Sequence, residues 1–430
     1  MTFKFNEDLL QYIWEKQLFD TKTLKTTGGT DIQVASPGIL NTADGPDFIN
    51  AKIKIGKIYH YGSVEIHINS SDWNAHSHQN NKNYNNVILH VCYNITSQIY
   101  REDGTPIPAL NIGNRLSQKV LARYQNLMKN QSFVPCSVII KSLNDIDKST
   151  WIQRMAIERI EERCKDFSTL LTHYNGDWNQ TFYTLFLRSF GMPSNRLVFE
   201  EIAKKLPYQI IQHNHESIRS LEGLVFGVAG LLNENLIDPY YIDLKREWLY
   251  LKEKYKLSSV SIPLKFGRIR PDNFPQVRLA QFCSLMHHSP KILEHALSLP
   301  SKDSIQDYFK FDLPKFWDTH YTFKKSSVVR KKTIAKSFVD HLFVNAISPF
   351  VFYYEKVKVS MTTDVAISYL TQTKAEQNSI INQWKTLDIQ CSDALSTQGL
   401  LHLYKIYCKN KKCLRCNWGK KFLSRSDEFD

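Results

Sequence analysis

Gly45-Pro46-Asp47-Phe48, followed by Gly62-Ser63-Val64-Glu65-Ile66-His67-Ile68, is the stretch on which the reading of this chain turns. In its second segment Val64, Ile66 and Ile68 alternate with Glu65 and His67. Residues two apart on a strand project from the same face. An apolar row therefore packs one way, and a carboxylate and an imidazole stand side by side on the other. Gly45-Pro46 is a turn signal that brings Asp47 to a neighbouring strand. Around this core, residues 51–68 alternate as a hairpin, with Ile53 and Ile55 on one face and Gly56-Lys57 at the turn. Residues 87–91, Val-Ile-Leu-His-Val, read as a short buried strand. Between the two lies a helical or turn-rich segment, 72–85, with Asp72, Trp73, His76, His78, Gln79 and Tyr84.

Upstream, Leu9, Leu10, Ile13, Trp14 and Leu18 fall at helical spacing, which predicts an amphipathic helix over 3–19 with Glu7 in its first turn. A turn at Gly28-Gly29 and a strand over 31–35 follow, and 101–108 supply a hairpin loop. Beyond Pro135 the pattern turns helical, over 151–165, 178–190, 196–205, 217–232, 276–286, 333–346, 375–386 and 394–408. The expected class is α+β, with a mixed α/β domain at 1–125, a linker at 126–150 and a mostly helical domain at 151–430 that ends in a cysteine-rich metal-binding segment. At roughly 150 residues per domain, the 430 residues make two or three domains. The spaced glycines of 223–230 lack the Gly-Lys-Ser/Thr of a phosphate loop and are expected to let helices approach closely.

The chemistry-bearing residues concentrate in 45–91. Two carboxylates from adjacent strands, Asp47 and Glu65, are a hard-cation site for Mg²⁺ or Mn²⁺. Such a cation polarises a phosphate and acidifies water. His76 and His78 are alternative zinc ligands together with His67 or Asp72. In a helix residues two apart diverge, whereas in a loop both imidazoles can chelate. His90 reads as a core residue, Asp72 as a helix cap and Trp73 as a packing residue.

The order of Glu7, Pro46-Asp47 and Glu65-Ile66-His67, eighteen positions after Asp47, with Gln79 and Tyr84 beyond, resembles the PD-(D/E)XK nuclease superfamily over about residues 5–95. That resemblance implies a PD-(D/E)XK-like mixed sheet and metal-dependent phosphodiester hydrolysis of DNA or RNA. It assigns Asp47 and Glu65 to the metal, Glu7 to completing that shell and His67 to proton transfer or ligation. Gln79 and Tyr84 position the helix or touch phosphate. His67 stands where that superfamily has lysine, so the resemblance also implies an alternative, a non-catalytic nucleic-acid-binding or scaffold protein on a degenerate nuclease fold. A third reading is a zinc hydrolase centred on His67, His76 and His78. The whole chain also resembles the bacterial family called domain of unknown function 2851. The resemblance is carried by Gly45-Pro46-Asp47-Phe48, Val64 to His67, Ser71-Asp72-Trp73, His76, His78 and residues 84–91. It continues in residues 268–275, Thr397-Gln398-Gly399 and residues 408–419. An acidic residue is usual there where this chain has Asn81.

Cys408, Cys413 and Cys416 place three thiols within nine residues, which in a reducing compartment suggests a metal. Zinc is one candidate, with His402 or Cys391 as fourth ligand. An iron–sulfur cluster is the other, with Cys136 or Cys391. Some nucleases of the resembling superfamily carry a cluster on three late cysteines and one early one. The formal net charge of +13 points to an acidic partner, nucleic acid first. Lysines and arginines crowd 324–336 and 409–421, and Arg268 and Arg270 precede Pro271 on a loop suited to phosphate or carboxylate, or to an inter-domain ion-pair hub. The polar, acidic start does not read as a secretory signal, and the apolar runs are too short to span a bilayer. Cytoplasm is the expected setting, with no membrane partner.

Overall fold

The structure, a computed structural model, describes residues 5–298, 301–359 and 364–424. The chain divides into two compact units: residues up to Asn144 together with those from Leu403 on, and Asp145–His402. This differs from the expected division in one respect that matters below, because the cysteine-rich segment joins the N-terminal unit instead of ending the helical one. Most of the expected 126–150 linker is helical, and the division falls inside it.

In the first unit, α1 (Glu7–Glu15) buries Leu9, Leu10, Tyr12, Ile13 and Trp14. It is shorter than the expected 3–19, of which Phe3 and Lys4 lie outside the described residues. A seven-stranded mixed sheet follows: β1 (Leu24–Lys25), β2 (Asp31–Ser36), β3 (Ile39–Leu40), β4 (Phe48–Ile55), β5 (Ile58–Asn69), β6 (Val87–Asn94) and β7 (Ala109–Asn111). The order is β1-β2-β4-β5-β6-β7, with β3 also paired to β4. The hairpin β4–β5 is antiparallel about Gly56-Lys57, whereas β5–β6 and β6–β7 are parallel. A parallel pair needs a crossover, and here it carries the short helix α2 (Asp72–Ala75) and two 3₁₀ turns, His78–Asn80 and Lys82–Tyr84. From Ser63 to His67 β5 is buried on both faces. Its apolar row packs in the core, and its polar row, Glu65 and His67, is enclosed rather than solvated. Helices α3 (Gln118–Lys129) and α4 (Ser137–Ile140) complete the N-terminal part of this unit.

The second unit is helical apart from a small two-stranded sheet, and its core is one contiguous cluster rich in Phe, Leu and Val. It opens with the 29-residue helix α5 (Asp145–His173), then α6 (Trp178–Phe190), α7 (Met192–Lys205), α8 (Tyr208–Asn214), α9 (Ile218–Val228) and α10 (Pro239–Tyr255). The glycines of α9 do serve close packing. A Cβ on Gly227 would lie 2.0 Å from Cδ2 of Trp248 on α10. Glu222 is a buried acid of this core. Glu222 accepts hydrogen bonds from the Tyr240 hydroxyl and from Trp317 Nε1 at 2.8 Å. No described helix is long and apolar enough to cross a membrane.

Burial pushes the Glu222 carboxyl up from 4.5 to about 7, against the lowering effect of its two donors. The folded state thus retains a proton that the unfolded state has lost, so this group's contribution falls as pH rises from about 4.5 to about 7. Its full cost, reached above that window, is roughly 3 kcal/mol, because each tenfold change in proton affinity is worth about 1.4 kcal/mol. Glu222→Gln is therefore expected to flatten the pH dependence of stability across this window. Urea unfolding of both proteins checks it, and parallel pH profiles would contradict it.

Candidate metal centre

The site is built on the β4–β5 hairpin and the crossover to β6. Asp47 directly precedes β4, where the ladder slips between Phe48 and Ala51. Its main-chain N–H donates to Glu65 Oε2 at 2.9 Å, and the Ile66 N–H donates to Asp47 Oδ2 at 3.0 Å. This crossed pair of bonds holds the two carboxylates in a fixed relation. Gln11 Nε2 of α1 donates to Asp47 Oδ1 at 2.8 Å, so both Asp47 oxygens are engaged by the protein itself. Glu7, at the start of α1, receives the Ile68 N–H and lies in the electrostatic reach of His76, Asp72 and His78. The four residues expected to form a catalytic group, Glu7, Asp47, Glu65 and His67, do come together.

The second set of groups comes from the crossover. Helix α2 ends at Ala75 with His76 as its C-cap, and Ser77 then takes a left-handed backbone with φ of 60°. That reversal is uncommon for a residue other than glycine, and it stops His76 and His78 from diverging as they would on one helix. Among the described residues, His67, His76 and His78 form the one His/Cys/Asp/Glu group whose ligand atoms all lie within 4.8 Å of one another. His67 Nε2 is 3.2 Å from His76 Nδ1. Glu65 Oε1 is 3.3 Å from His78 Nε2 and 3.6 Å from His67 Nε2. Zinc bonds of about 2.0–2.1 Å in a tetrahedron set neighbouring donor atoms roughly 3.3–3.4 Å apart. The His67–His76, Glu65–His78 and Glu65–His67 separations thus fall near that spacing, and the three imidazoles gather within 4.8 Å of one another. Three nitrogens and one oxygen suit zinc or another borderline divalent ion better than magnesium, which prefers oxygen.

Outer contacts orient this set. His67 Nδ1 lies 2.8 Å from His90 Nε2, one ring donating to the other, and both rings are buried. His90 is a core residue, as its apolar run implies, but it also fixes the tautomer and plane of His67. Tyr84 stacks on His78 with ring centroids 3.9 Å apart, and buried Trp73 packs against His78, Tyr84 and His90. Tyr84 therefore braces a histidine instead of facing outward. Gln79 is the middle residue of the 3₁₀ turn His78–Asn80, its Oε1 buried with no hydrogen-bond partner. Asp72 does not cap α2 in the expected manner; its Oδ2 accepts the Asn69 N–H at 2.9 Å.

Charge in this site is poorly compensated. Burial raises the carboxyls of Glu7, Asp47 and Glu65, and mutual repulsion adds to the effect. Burial also lowers His67 and His90 to about 3 and shifts His78 down, so these rings are neutral, the state that ligates metal.

Other expected residues lie elsewhere. Arg268 and Arg270 are exposed in the second unit, whereas the carboxylates and histidines are in the first. The basic run 324–336 is no bare cationic stripe, since Lys324, Arg330 and Lys331 pair with Glu234, Asp272 and Asp312 and Lys332 is buried. Cys408, Cys413 and Cys416 are joined in the first unit by Cys136, while His402 and Cys391 belong to the second. Trp73→Ala is expected to destabilise the first unit by about 3–5 kcal/mol, as full removal of a buried indole does. Chemical unfolding followed by circular dichroism measures it, and a loss below about 1 kcal/mol would contradict the packing role.

A family model described as "Protein of unknown function (DUF2851)" matches residues 7–379, which include every residue of the carboxylate–histidine site. No curated protein and no solved structure matches the chain.

Proposed function

On the premise that the chain belongs to this DUF2851 family, we propose that it is a metal-dependent hydrolase acting on phosphodiester bonds of nucleic acid. The observation that carries the reading is the convergence of His67, His76 and His78, with Glu65 Oε1 3.3 Å from His78 and 3.6 Å from His67. The order of elements supports the substrate class. An acid on the first helix, an aspartate entering a hairpin and a Glu-x-His strand resemble the PD-(D/E)XK arrangement, on a sheet that turns from antiparallel to parallel beyond β5. The net charge of +13 favours a polyanion.

In this reading the three histidines hold the ion, and the imidazole of His67 takes the place that lysine has in the resembling nucleases. A bound divalent ion would polarise a phosphoryl oxygen and make water a stronger nucleophile. Glu65 Oε1, beside His67 and His78, would accept the proton of the attacking water. Asp47 positions Glu65 through the crossed main-chain bonds. His90 keeps His67 in the ligating orientation, and Glu7 adds negative charge that strengthens cation binding.

Calorimetric titration with Zn²⁺ or Mn²⁺ and an oligonucleotide cleavage assay test the proposal. His76→Ala and His78→Ala should each lower metal affinity by more than the 10–100-fold typical of losing an outer contact, and His90→Ala by about that amount. Wild type should cleave single- or double-stranded DNA or RNA in a metal-dependent way, and Glu65→Ala should not. Equal activity of wild type and Glu65→Ala would refute the mechanism. Metal binding without cleavage of any of these substrates would favour a binding protein instead.

A further inference from the structure

A second cluster of metal-ligating side chains lies in the first unit, away from the histidines in sequence. Cys136, just before α4, and Cys408, Cys413 and Cys416 line one cavity together with Tyr407 and Gly419. All four thiols are buried, and none is in a disulfide. The cavity is small, about 220 Å³ including space open to solvent. Four sulfurs lining so small a space suit an inorganic centre bonded directly to them better than an organic ligand.

The chain is arranged to bring these sulfurs together. Cys413 opens a 3₁₀ turn, Cys413–Arg415, Cys416 directly follows it, and the helix Asn417–Leu423 starts at once. Gly419 of that helix passes so close that a Cβ would lie 2.3 Å from the Cys413 carbonyl oxygen. Across the cavity, Asn130 Nδ2 donates to the Pro135 carbonyl at 2.8 Å and fixes the approach to Cys136.

The sequence pattern separates the possible metals, because Cys-x4-Cys-x2-Cys with one remote cysteine is an iron–sulfur spacing. We propose that Cys136, Cys408, Cys413 and Cys416 ligate an iron–sulfur cluster that clips the C-terminal segment onto the N-terminal unit. The clip closes a very long loop, where a cross-link restricts the unfolded chain most. Its effect reaches α1, because the Tyr12 hydroxyl of that helix donates to the Lys420 carbonyl at 3.0 Å.

The test is iron, sulfide and zinc analysis of full-length protein purified without oxygen, with visible absorption spectra. Iron and sulfide in equal amounts, two or four of each per chain, are expected, with a broad visible band that bleaches on reduction. Cys136→Ser and Cys416→Ser should lose the iron, whereas Cys391→Ser and His76→Ala should keep it, the last showing that this centre is independent of the histidine site. One zinc per chain without sulfide, a folded metal-free wild type, or a cluster retained in Cys136→Ser would overturn the assignment. The wild-type measurement decides even where a variant does not fold.

Discussion

The contact between His67 Nδ1 and His90 Nε2, buried between parallel strands β5 and β6, is the constraint on which the site depends. Two imidazoles with almost no exposure must share one proton between facing nitrogens, and this leaves Nε2 of His67 pointing away from the strand pair. It then meets His76 and the Glu65 carboxylate. The parallel register places Glu65 opposite His90 and His67 opposite Cys92, so a one-residue slip would turn the whole polar row of β5 into the apolar core. Position in the sheet and chemistry at the site are thus the same fact.

Enclosing this row has an electrostatic consequence. Buried carboxylates that lack a cation resist ionisation, and buried imidazoles resist protonation. Glu7, Asp47 and Glu65 show the first shift, and His67, His78 and His90 the second. A divalent ion would reverse the penalty on the acids and use the neutral nitrogens as they stand. Asp47, with both oxygens held by Gln11 and Ile66, serves this arrangement best as a fixed brace. The three imidazoles add nitrogen donors beside the oxygen pair that the strand pattern suggested.

Much of this was legible in the sequence, and the rest was hidden for identifiable reasons. Strand period two revealed that Glu65 and His67 share a face, and helical spacing placed Glu7 on α1. The convergence of His76 and His78 was not readable, because it depends on a left-handed backbone at Ser77, a residue that gives no signal for it. Of the four cysteines, local spacing announced three; Cys136 meets them only through the tertiary fold. The run 324–336 looked like a surface for polyanions because its partners, Glu234, Asp272 and Asp312, are distant in sequence. Helix α10 escaped notice for the related reason that its buried face, Tyr241, Leu244, Trp248 and Leu251, is sparse among charged residues.

The central claim is that a divalent metal sits among three histidines. Anomalous X-ray scattering from zinc-soaked crystals, recorded on both sides of the zinc edge, measures this directly. The account predicts a peak about 2.0–2.1 Å from His67 Nε2 and from one nitrogen each of His76 and His78. A peak bounded only by Asp47 and Glu65 oxygens, or no peak in this part of the first unit, would contradict it.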